Sequence, residues 1–142
     1  MQSKEVHFCG KVAQKAIIDN GKGEILIVRD PRESEEVWEI PGGRINEDEE
    51  PKSALAREIK EELGVEVEVG EVLSLEQFWQ HSDQAKALLI VYVCRMKNPN
   101  ASLNLEAKEV AEARWVTATE CDKLNFFVEY QRAIKKYFSD KI

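Results

Sequence analysis

Residues 41–65 read PGGRINEDEEPKSALAREIKEELGV: a Pro-Gly-Gly turn, an acidic loop, then a helix-forming run. Pro51 suits the first turn of a helix and Gly64 its C-terminal cap. Between them, Leu55, Ile59 and Leu63 recur at helical spacing and make a stripe that faces a core. At about 100° per residue, Glu58, Glu61 and Glu62 fall within an arc of about 100° on a neighbouring stripe, bordered by Arg57. Glu58 and Glu62 form a like-charge i,i+4 pair, which costs roughly a few tenths of a kcal/mol. The compensating Arg57–Glu61 pair runs in the less favourable order. One reading is a solvated acidic face. The other is a site for a hard divalent cation, which takes oxygen ligands where zinc prefers nitrogen and sulfur.

Outward from this helix, the rest of the chain is mostly strand. Residues 4–18 end in Ala16-Ile17-Ile18 and predict a strand. A turn at residues 19–23 carries Asn20-Gly21, a hairpin signal because both residues tolerate positive φ. It leads into a strand over 24–29 and a polar loop over 30–36. Residues 37–40 predict a short strand stopped by Pro41-Gly42-Gly43. After Gly64, alternation of Val65, Val67 and Val69 with Glu66 and Glu68 predicts a half-buried strand. Further strands are expected over 72–78, 86–96 and 113–116, with a loop over 97–111. Phe126, Phe127, Tyr130, Ile134 and Phe138 recur at helical spacing and predict a closing amphipathic helix. The sum is a mixed sheet with one inserted and one terminal helix, in a single domain over residues 1–142.

Composition bounds the function. With 142 residues, the chain is one domain's length, enough to bury roughly two thirds of its unfolded surface. The formal net charge is −7. An acidic surface repels phosphate backbones, so nucleic-acid binding is disfavoured, while a small phosphorylated substrate remains compatible if metal ions neutralise the site. No apolar leader precedes residue 10, and the apolar run over 87–94 is too short to span a bilayer, so a cytoplasmic protein without a membrane partner is expected. Cys9, Cys94 and Cys121 lack metal-site spacing and read as reduced thiols.

The segment resembles the Nudix box: Gly43, Glu49, Arg57, Glu58, Ile59, Glu61, Glu62, Gly64 and Val65 fit every defined position. The preceding WEIPGG (38–43) is similar to the family as well. The resemblance implies an α/β fold, an α/β/α sandwich around a mixed central sheet. It implies hydrolysis of a nucleoside diphosphate linked to another moiety, with Mg²⁺ or Mn²⁺. Glu58, Glu61 and Glu62 become the expected metal ligands, with the Gly42 carbonyl a fourth. Glu61, Glu62, Glu109 and Arg57 make up the expected catalytic set. Arg57 is expected to pair with Glu49 and orient the carboxylates; a direct phosphate contact is the lesser alternative. Glu109 is the expected general base or extra ligand, with Glu106 and Glu112 as alternates.

For the leaving moiety, Phe78 and Trp79 are placed to stack on a base or to pack in the core. Asn125 resembles in position a purine-reading asparagine of MutT-type members, against the reading of a helix cap. No proline lies between Lys52 and Asn98, no tyrosine between Val65 and Val91, and no SQPWPFP run is present. The tags of ADP-ribose, dinucleoside-polyphosphate and NADH pyrophosphatases are thus missing. What remains is a MutT-like enzyme acting on a nucleoside triphosphate, giving a monophosphate and pyrophosphate. Other nucleotide conjugates, or a catalytically silent nucleotide-binding module, are the alternatives. A homodimer is compatible with the resemblance.

Overall fold

Alternation along the first strand sets the layers. In the computed structural model, which describes residues 7–33 and 36–141, β1 spans Val12–Asp19. Ala16 and Ile18 face one side, where they meet Leu55, Ile59 and Leu63 of α1 (Pro51–Leu63). Ala13 and Ile17 face the other, against Tyr130, Ala133, Ile134 and Tyr137 of the last helix. One strand thus feeds two apolar cores, and the result is the expected α/β/α sandwich. Residues 4–6 of the expected first strand, and 34–35 of the expected loop, lie outside the described residues.

The remaining strands are β2 (Ile25–Arg29), β3 (Gly42–Arg44), β4 (Val67–Gln80), β5 (Ala85–Met96) and β6 (Glu112–Val116). The sheet order is β4-β5-β1-β2-β6, with β3 pairing β1. β1 and β5 are parallel and the other pairings antiparallel, so the sheet is mixed. Two short helical elements close the chain, α2 (Ala118–Cys121) and α3 (Val128–Ser139).

Several boundaries differ from the sequence reading. The glycines expected to stop a strand form one: Gly42, Gly43 and Arg44 pair with Lys15, Gln14 and Ala13. Residues 37–40 make only isolated bridges, Val28 to Glu39 and Trp38 to Phe126. The two strands expected after Gly64 are one, β4, bulged between Val69 and Ser74. Gly70 lets that strand run on, since a Cβ there would stand 2.7 Å from the Val93 carbonyl oxygen. Phe126 lies before α3 and Phe127 is its N-cap, while an unexpected short helix, α2, stands ahead of them. Its signal was the Thr117–Glu120 capping box: the Thr117 hydroxyl accepts from the Glu120 N–H at 3.2 Å.

All three cysteines are free, Cys94 and Cys121 buried. Burial pushes the Cys94 thiol up to about 12 and the Cys121 thiol up to about 11. Among the described residues, no helix is long and apolar enough to cross a membrane.

At the hairpin end of β1, Asp19 accepts hydrogen bonds from the Tyr137 hydroxyl and from the Lys141 ammonium, the latter at 2.6 Å, tying α3 to the sheet. Burial raises the Asp19 carboxyl, but Lys141, Tyr137 and the Gly21 N–H together hold it below the ordinary aspartate value. A depressed folded-state pKa stabilises above the unfolded value and loses that stabilisation as pH falls through the folded one. Asp19→Asn is therefore expected to lower stability at pH 7 by about 1 kcal/mol, from charge-assisted hydrogen bonds lost at a partly exposed site. The gap from the wild type should narrow as pH drops below about 4, read as Tm against pH.

Candidate active site

β1 and β2 pair only near their turn, at Asp19 and Ile25. Beyond it they part, and residues 39–44 enter the gap. Glu39 exchanges backbone hydrogen bonds with Val28, at 2.8 and 2.9 Å, and the Ala16 N–H donates to the Pro41 carbonyl at 2.8 Å. This wedge opens a cleft of about 1250 Å³ at the end of the sheet. Gly42 (φ 147°) makes the wedge fit: a Cβ there would stand 2.1 Å from the Gln14 carbonyl oxygen.

α1 brings its carboxylates to this cleft. The helix starts at Glu50, whose side chain accepts from the Ser53 N–H at 2.9 Å, and ends at Gly64 (φ 72°). Glu58, Glu61 and Glu62 all line the cleft. Gly43 leaves room for one of them, since a Cβ there would lie 2.9 Å from a Glu58 carboxylate oxygen. Arg57 stands outside the cleft wall and ties the group together. It reaches Glu49 at 2.6 Å, Glu61 at 3.0 Å and Glu58 at 3.5 Å.

The loop after β5 docks on the last carbonyls of α1, which lack partners within the helix. The Asn104 N–H donates to the Leu63 carbonyl at 2.8 Å, and the Glu106 N–H to the Glu62 carbonyl at 2.9 Å. That docking places Glu106 and Glu109 in the cleft opposite the helix. The Glu109 carboxylate is held by Arg32 at 3.1 Å, and Arg32 also binds Asp30 at 2.9 Å.

Burial pushes the Glu62 carboxyl up to about 8; Lys15 opposes the rise, and Glu58 and Glu109 reinforce it. Two adjoining carboxylates share either a proton or a cation. Among the described residues, no three His, Cys, Asp or Glu side chains are arranged as they stand to hold a metal ion. The side chain of Glu61 is 61% exposed and turned to Arg57, so it would swing inward to join a ligand set. The donors themselves fit a hard cation: all are oxygens, and the glycine backbone leaves open space beside Glu58.

Of the other expected residues, Phe78 and Trp79 on β4 line the cleft, Phe78 half-buried and Trp79 exposed. Asn125 is exposed, does not line the cleft, and is not the cap of α3, whose N-cap is Phe127; its carbonyl accepts from the Trp38 N–H at 2.8 Å. Glu112 also stands outside, 3.5 Å from Arg29. The sequence reading missed Lys15, Glu39, Phe127 and Tyr130, all on the wall. Gln14-Lys15 inside an otherwise apolar strand was the available signal.

The family model of the NUDIX domain matches residues 11–138. The chain belongs to the Nudix family. Nudix hydrolase 2 of Arabidopsis thaliana is 27% identical over 92% of this chain and 46% of its own length. The CTP pyrophosphohydrolase of Escherichia coli K12 is 42% identical over 44% of this chain and 47% of its own. This Nudix chain spans about half the length of such curated relatives. Among solved structures, the MutT protein of Methanosarcina mazei Go1 superposes with TM-score 0.75 at 27% identity, covering 92% of this chain and 94% of that one. The NUDIX domain of Shewanella oneidensis NrtR, complexed with ADP ribose, shares the fold (TM-score 0.76, 14% identity, 96% and 91% covered).

The two glycines should respond differently to a methyl group. Gly42→Ala strikes β1 backbone at a positive φ, so a loss of about 2–4 kcal/mol in urea unfolding is expected. Gly43→Ala meets only the movable end of Glu58, so it should fold normally yet bind Mn²⁺ more weakly in a calorimetric titration.

Proposed function

We propose that this chain is a Mg²⁺-dependent pyrophosphohydrolase that cleaves a nucleoside diphosphate linked to another moiety, with a nucleoside triphosphate as the substrate. One observation carries the reading: a single cleft collects the α1 carboxylates, the Gly42–Gly43 strand and the Glu106–Glu109 loop. Membership of the Nudix family, with pyrophosphohydrolases and MutT-like proteins among the relatives, supports the same class.

Glu58, Glu61 and Glu62, with the Gly42 carbonyl, would hold the cation. When bound, Mg²⁺, or Mn²⁺ in its place, offsets the charge of the diphosphate oxygens and lowers the pKa of a bound water. Arg57 acts as a positioning residue, because its guanidinium spans three carboxylates and fixes their rotamers. Glu109 serves as the general base: once released from Arg32 it takes a proton from the attacking water. The water oxygen forms the new P–O bond as the anhydride P–O bond breaks, and pyrophosphate leaves with the electron pair.

The test is product release from a panel with Mg²⁺: ordinary and oxidised nucleoside triphosphates, ADP-ribose, NADH, diadenosine polyphosphates and nucleotide sugars. Turnover of triphosphates is expected, and Glu61→Gln should lower it at least about 100-fold while Tm stays near wild type, since that side chain is exposed. Turnover that survives Glu61→Gln, or that is indifferent to EDTA, would rule the mechanism out.

A further inference from the structure

The chemistry above leaves unused a part-buried ion pair on the opposite face of the sheet. Lys15 lies on β1 between Ala13 and Ile17, facing α3, and is 8% exposed. Its ammonium donates to Glu39 at 2.9 Å and sits 5.4 Å from the centre of the Tyr130 ring. All three side chains line the cleft, with Phe78 and Phe127 beside them.

Packing alone does not call for such a pair. An apolar side chain would fill the same space without desolvating two charges, and a buried ion pair is weak evidence for stability. What the pair offers is recognition. Beyond the Glu39 contact the ammonium keeps further donors, and the carboxylate keeps further lone pairs. The wall therefore presents a donor-only group next to an acceptor-only group, among aromatic rings. A second phosphate suits this place poorly, because Glu39 and Glu62 both press negative charge on Lys15. A flat ring with an acceptor beside a donor on its edge suits it well, and nucleobases have that form.

We propose that Lys15 and Glu39 read the hydrogen-bonding edge of the substrate's nucleobase, while the diphosphate lies against the α1 carboxylates. The proposal rests on the pyrophosphohydrolase reading and makes base identity the business of the α3 face.

Two measurements test it. The first is kcat and KM for the four ordinary nucleoside triphosphates and for ribose 5-triphosphate, which lacks only the base. The wild type should prefer one base. In Lys15→Met the KM for that nucleotide should rise about 10- to 100-fold, well beyond any change for ribose 5-triphosphate. Glu39→Gln should reorder the base preference, because the amide adds a donor. Equal changes on all five substrates, or none, overturn the proposal. The second is saturation-transfer NMR with the matching nucleosides and no metal. Base protons should receive saturation from the wild type and lose it in Lys15→Met; no base signal with the wild type also overturns the proposal. A Lys15-dependent nucleoside signal without any turnover would sink the hydrolase reading and leave the base subsite standing. Normal turnover indifferent to Lys15→Met would do the reverse. Because Lys15→Met leaves Glu39 unpaired, the double variant Lys15→Met with Glu39→Leu, checked by circular dichroism, repeats both measurements without a lone buried charge and should show the same loss.

Discussion

The approach of the Gly42 backbone to β1 is the contact on which the rest of the site depends. β1 and β2 would otherwise zip together along their length. Instead residues 39–44 enter between them, which requires that nothing project from position 42 toward the Gln14 carbonyl. The parting of the strands makes the cleft, and the same segment carries Glu39 to one side and the Gly43 backbone to the other. A parted sheet also leaves backbone groups to satisfy. The wedge satisfies them, with Val28 and Ala16 bonded to Glu39 and Pro41.

The second dependence is at the far end of α1. A helix terminus leaves carbonyls without partners, and here the loop after β5 supplies N–H groups from Asn104 and Glu106. A cap on the helix is therefore also what sets Glu106 and Glu109 across from Glu58 and Glu62. Stability and site geometry share the same hydrogen bonds, and Val110, buried beside them, anchors the loop in the α1-side core.

How much of this was legible in the sequence follows from which interactions are local. α1 was readable to its ends, because Pro51, Gly64 and the Leu55–Ile59–Leu63 stripe act within a few residues. The mixed sheet followed from the strand and helix patterns, and the sandwich from the resemblance carried by the box. The strand at Gly42–Arg44 was not readable, because its partner, β1, is some thirty residues away and glycine ordinarily argues against a strand. β4 read as two strands because its bulges look locally like a break. Glu109 was singled out as a loop carboxylate outside the box, six residues before Trp115, where similar enzymes carry one, but the hydrogen bonds that bring its loop to the cleft join distant segments. Lys15 and Glu39 were invisible as a pair for the same reason, although a lysine inside an apolar strand marks an unusual position.

The charge balance of the cleft constrains what it can admit. Among the described residues its wall carries ten carboxylates and three cationic side chains, Lys15, Arg32 and Arg44. Each cation is already engaged: Lys15 by Glu39, Arg32 by Asp30 and Glu109, Arg44 by Asp83. A polyphosphate entering alone would meet repulsion with no free counter-charge. It becomes a tolerable guest only with cations that satisfy both its oxygens and the helix carboxylates, which turns the acidic wall from a barrier into a requirement for metal. A neutral base carries no such demand. It could rest against a paired lysine and glutamate without disturbing their charge, so the excess of carboxylates fits the proposed division of the cleft, with metal and phosphate on the α1 face and base on the α3 face.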